Sequence, residues 1–113
     1  MEMPEKEWNP EQFSRSLEIQ AEKAERYARE HVGRLKRGQG NGNARTRDQS
    51  FGQAALFEFL SDSRALTSVS SLSRELDRLE RSEISVDFDG DQSAFRTGYG
   101  QAIAQVRTML AYY

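Results

Sequence analysis

The chain contains no cysteine, which removes disulfide staples, thiolate metal sites and a cysteine nucleophile together. It has one histidine, His31. Acid–base pairs and metal sites built from several imidazoles are therefore closed to a single copy. Proline is nearly missing: after Pro4 and Pro10 no proline interrupts the remaining chain. Long apolar runs are missing too. The longest, residues 109–113, is far below the ~20 residues a membrane span needs. The first seven residues are acidic and carry no apolar stretch, so they do not read as a signal or transit peptide, and a cytoplasmic location is expected. No sign of charge dominates, since 16 basic side chains face 18 acidic ones for a net −2.

What is present fits one small domain spanning residues 1–113, with a loose start at residues 1–8. Leu, Ile, Val and Phe make 22 of 113 residues, so the core must be thin, and a mean hydropathy of −0.82 leaves much charged surface. The periodicity predicts an all-α fold, a small four-helix bundle with helices at about 10–36, 51–60, 63–82 and 92–111. The first helix has a full start signal. Asn9 is a good N-cap, Pro10 suits the first helical position, and Trp8 with Phe13 occupies the two sites of a hydrophobic staple. Its apolar stripe is Leu17, Ala21, Ala24, Ala28 and Val32, mostly small side chains that permit close approach of another helix. At ~1.5 Å per residue such a helix is ~40 Å long, and it is expected to project from so small a globule.

Between Arg37 and Gln49 periodicity disappears. Gly38, Gly40, Gly42, Asn41 and Asn43 predict a flexible loop. The loop is basic: Arg34, Lys36, Arg37, Arg45 and Arg47 give +5 over residues 34–47 without an acid, which leaves −7 elsewhere. These five side chains are candidates for phosphate contacts, because a glycine-rich tether lets charge follow a nucleic-acid backbone. Against that, no aromatic residue interleaves for base stacking, and the sequence pI is about 5.5. The glycines do not form a phosphate-cradling loop, since they follow a helix and no Lys-Ser/Thr pair closes them.

Downstream, Leu66, Val69, Leu72, Leu76 and Leu79 form a stripe compatible with bundle packing. Ile84, Val86 and Phe88 alternate with polar residues, a strand-like pattern that reads here as an extended crossover. Gly98 and Gly100 sit in the first half of the last helix, which makes sense if a neighbouring backbone or large aromatic packs there. Asp87, Asp89 and Asp91 imitate a calcium loop, but its sixth and twelfth positions hold Gln92 and Gly98, so the pattern fails. A turn followed by a helix cap at Asp91 is the better reading.

No nucleophile–base pair, cofactor motif or metal constellation emerges, so a non-enzymatic protein without cofactor or small-molecule substrate is expected. The expected function is that of a helical accessory or regulatory protein that dimerises, or docks on a larger protein, through helix faces. The residues expected to do so are Leu17, Ala21, Ala24, Ala28, Val32, Tyr99, Met109, Tyr112 and Tyr113, since small residues allow close helix contact and Tyr and Met suit interfaces. Two alternatives stand beside it. One is a nucleic-acid-associated regulator using segment 34–47. The other is an inhibitor whose acidic residues Glu83, Asp87, Asp89 and Asp91 imitate a nucleic acid in a partner's groove.

Overall fold

A computed structural model describes residues 8–36, 41–82 and 91–113. These residues form an all-α bundle of four helices: α1 (Pro10–Lys36), α2 (Asn41–Ser61), α3 (Val69–Arg81) and α4 (Gln92–Leu110), with a short 3-10 helix at Arg64–Thr67 between α2 and α3. No strand occurs among the described residues, and the strand-like segment 84–88 lies outside them. Among the described residues no helix is long and apolar enough to cross a membrane.

Helix α1 starts where its cap requires. Asn9 Oδ1 accepts the amide of Gln12 at 3.1 Å, and the rings of Trp8 and Phe13 close the staple with centroids 4.9 Å apart. The Trp8 indole N–H donates to the Leu66 carbonyl at 2.8 Å, which ties the start of α1 to the 3-10 turn. The molecule measures 57 × 27 × 23 Å. At ~40 Å, α1 is longer than either short dimension and so lies along the long one. It is accompanied there, because α2 runs back beside it. The Ser14 hydroxyl donates to the Ser61 carbonyl at 2.7 Å, which pairs the first turn of α1 with the last of α2 and makes the two antiparallel.

The expected flexible loop 37–49 and short helix 51–60 need correction. Residues 37–40 lie outside the described part, but 41–49 are helical and α2 begins at Asn41. Local propensity argues for a loop here, and packing overrides it. α2 is the central helix, with α1 on one side and α4 on the other. Ser50 is buried, and so is Asp48, with 2% of its surface exposed. The expected single helix 63–82 is likewise interrupted. Ser63 Oγ accepts from the Ala65 amide and caps the 3-10 turn, and Ser68 Oγ accepts from the Ser71 amide to start α3 afresh. Serine oxygens compete for backbone donors in this way and break helices that an apolar stripe alone would continue.

α2 and α4 cross closely and run parallel: Asp48 meets the start of α4 at the Asp91 amide, the Gln53 amide further along donates to Gln101 at 2.9 Å, and between them Gln49 lies against Gly98 and Gly52 against Phe95 and Tyr99. A β-carbon on Gly98 would sit 1.8 Å from the Gln49 carbonyl oxygen, and one on Gly52 would sit 2.0 Å from that of Phe95. Glycine at both positions is what lets the backbones touch. Gly100 meets nothing within 4 Å, so only Gly98 carries the packing role expected of the pair. The core around this crossing contains Leu56, Phe57 and Leu60 from α2, Phe95, Ile103 and Val106 from α4, and Leu72 and Leu76 from α3. Arg107 fastens α3 to α4, donating from Nε to Glu80 at 3.0 Å and from Nη2 to Asp77 at 2.6 Å.

Candidate interaction surface

The residues singled out from sequence fall into three groups. The first has gone into the chain's own core. Leu17, Ala21, Ala24 and Ala28 are all buried, closed on α2 of the same chain, so they cannot meet an outside partner while the fold is intact. Tyr99 is buried as well, with its ring stacked near Phe95 at 6.5 Å. The desolvation raises its phenol pKa above the ordinary value, partly opposed by the positive charge of Arg78. A helix does pack on the alanine stripe. The helix that does so is internal.

The second group performs structural polar tasks. The Arg47 guanidinium Nε donates to Asp48 Oδ1 at 2.9 Å, and Asp48 Oδ2 accepts the backbone amide of Asp91 at 2.9 Å. Asp91 in turn is the N-cap of α4, its Oδ1 accepting the Ala94 amide at 3.0 Å. One proposed phosphate contact and one proposed acidic mimic thus meet through a buried carboxylate that the sequence reading passed over. Asp48 satisfies a donor at the start of α4 that no helical carbonyl can reach. Arg78 and Arg107 are held further toward the charged form, Arg78 by its hydrogen bond to Glu75 and Arg107 by those to Glu80 and Asp77.

The third group is exposed or lies outside the described part. The side chains of Val32, Arg34, Lys36 and Arg45, together with Arg37, Glu83, Asp87 and Asp89, belong to the latter. Tyr113 packs edge-on against Trp8 at 5.2 Å and Phe13 at 5.9 Å, while Met109 is half-buried beside them. Tyr112 is 68% exposed.

Met109, Tyr112 and Tyr113 line one end of a seam between α1 and α4, where a cavity of about 190 Å³ also touches Phe13 and Ser16. Further along, the seam opens into a cavity of about 340 Å³. Gln20, Lys23 and Tyr27 of α1, Thr46, Gln49 and Gln53 of α2, and Gln105 of α4 line it, with Ala24, Ser50 and Phe57 completing the wall. The Gln105 amide donates to Gln20 at 3.3 Å across the seam. α1 and α4 have no close backbone approach, so α2 fills the space between them and side chains alone bridge the gap. Ile19, 46% exposed, and Tyr27, 48% exposed, flank this face from α1. Sequence reading missed both because they lie off the inward stripe. The available signal was an isoleucine and a tyrosine eight residues apart on an otherwise polar helix surface.

A third groove, about 580 Å³, runs between α1 and the 3-10 turn; Glu11, Arg15, Glu18, Asp62 and Arg64 mix both signs along it. Among the described residues no group of three or more His, Asp or Glu side chains is placed to hold a metal ion. No protein-family model, curated protein or solved structure matches this chain.

Proposed function

We propose that the chain is a non-enzymatic helical interaction protein that works by pairing with itself or docking on a larger protein. The observation that supports it is the distribution of large apolar side chains. The interior is packed around a glycine-tight crossing, yet Ile19, Tyr27 and Tyr112 stand about half or more exposed along the α1–α4 edge, with Phe59 half exposed on α2. Tyr and Met at such an edge combine apolar area with a polar or adaptable end, the composition that interface cores favour. The polar groups point the same way. Buried Asp48, exposed Asp91 and the half-buried Trp8 indole all serve helix ends and turns, which leaves none of them poised as an acid, base or nucleophile.

Light scattering combined with affinity capture tests this reading. A mass above 12.9 kDa in solution, or retention of one defined protein by the immobilised chain that is lost with Tyr112→Glu or Tyr27→Glu, is expected. A strict monomer that retains no partner refutes it.

A further inference from the structure

The inward stripe of α1 leaves a second ridge on the helix surface. Ile19, Lys23 and Tyr27 follow one another at intervals of four, a row that helices use to interdigitate. Two of the three are large apolar side chains with nearly half their surface in solvent. They are placed symmetrically about Lys23. When a helix pairs with an antiparallel copy of itself across a two-fold axis at residue 23, position 19 of one copy faces position 27 of the other, twice. The apolar side chains thus meet each other rather than a charge.

The charges agree with that alignment. Arg15 and Glu30 are exposed and have no ion-pair partner among the described residues. About the same axis, position 15 of one copy comes within one residue of position 30 of the other, which brings both pairs together. Beside the ridge, exposed Glu22 precedes the axis and exposed Arg26 follows it, so antiparallel pairing brings each near its opposite in the other copy, whereas parallel pairing sets like on like. An isologous interface needs such a self-complementary surface.

We propose that a second copy of this chain docks on the Ile19–Lys23–Tyr27 ridge, α1 against α1, antiparallel, with the two-fold axis at Lys23. The proposal rests on the interaction reading above and commits it to one occupant. Lys23 meets its own copy at the axis, a like-charged contact, so Lys23→Gln is expected to tighten the dimer severalfold.

The absence of native cysteine makes the test direct. Facing helices lie ~8–10 Å apart, which brings residues on the axis within disulfide reach. Wild-type chain is first examined by sedimentation equilibrium across a concentration series, and a doubling of the 12.9 kDa mass is expected. Lys23→Cys is expected to give a covalent dimer under mild oxidation, and Glu18→Cys, on the other side of α1, is not. Ile19→Cys mixed with Tyr27→Cys gives linked heterodimers, while Ile19→Cys alone stays unlinked. Each variant's helical melting curve verifies that it folds. A wild type that remains monomeric overturns the pairing but leaves the broader interaction reading to its capture test. A dimer in which Glu18→Cys links as fast as Lys23→Cys overturns the pairing and supports the broader reading.

Discussion

Replacing Gly98 by alanine tests the packing argument most sharply. In a helix interior that change normally stabilises by about 1 kcal/mol, because alanine restricts the unfolded chain. Here the new β-carbon would lie 1.8 Å from the Gln49 carbonyl oxygen, 2.6 Å from its carbon and 2.8 Å from the Gln49 α-carbon. All three are backbone atoms, so no side chain can swing aside. Ordinary contact begins near 3.4 Å, which requires α2 and α4 to part by about 1.6 Å. That separation loosens Leu56, Phe95 and Ile103 and draws Asp48 away from the Asp91 amide. Overpacking of this kind costs about 1–3 kcal/mol, and a backbone-on-backbone clash belongs at the upper end. Gly100→Ala is the internal control, since its β-carbon meets nothing within 4 Å; it is expected to stabilise by about 0.5–1 kcal/mol. At roughly 4 °C per kcal/mol for a domain of this size, the two variants should melt about 10 °C or more apart on opposite sides of wild type. Thermal and urea unfolding followed by circular dichroism measure the difference. A Gly98→Ala protein that melts with wild type or above it refutes the close crossing.

Two further outcomes follow from the polar groups. Asp48→Asn keeps the shape but removes the charge that holds Arg47, and is expected to cost about 1–3 kcal/mol; exchange of the Asp91 and Ala94 amides should accelerate, and unchanged exchange at both removes Asp48 from its anchoring role. Tyr99 has a phenol pKa raised above its ordinary 10.0, chiefly by desolvation. The folded state therefore holds that proton more tightly than the unfolded one, so the associated stability is complete below about pH 10 and disappears as pH rises through the raised value. Tyr99→Phe should lose less stability than wild type over that alkaline range, and identical losses in urea titrations contradict the burial assigned to Tyr99.

Much of the fold is legible in the sequence where local chemistry and tertiary packing agree. α1 begins at Pro10 as its fixed backbone suits, and Asn9, Trp8 and Phe13 each make the contact their position implies. Asp91 caps α4 as its spacing suggests. Legibility fails where the two levels disagree. Asn41, Gly42 and Asn43 weaken a helix on their own, so residues 41–49 read as loop, yet α2 starts at Asn41 and from Asp48 onward it is buried between α1 and α4. A central helix buries more than one face, so α2 shows no apolar stripe; Asp48, Ser50 and Gly52 look like surface and are interior. The surface was illegible for the complementary reason. The alanine stripe of α1 announces a helix partner without saying whose helix it is, and the answer lies in residues that read as loop. Ile19 and Tyr27 become visible as a surface only after that stripe has been closed.

The parallel course of α2 and α4 also governs the order in which the chain can assemble. α1 and α2 are neighbours separated only by residues 37–40, so their antiparallel contacts form between nearby segments at small loop-closure cost. Parallel helices cannot be joined by a short turn. The chain must go out through residues 62–91, laying down the 3-10 turn and α3, before α4 can come alongside α2 in the right direction. Contacts at the glycine crossing are thus expected to form late, after the α1–α2 hairpin has offered a surface to receive them. Late contacts govern escape from the native state more than entry into it. The tightest point of the structure is accordingly expected to act as a latch: Gly98→Ala should speed unfolding more than it slows folding.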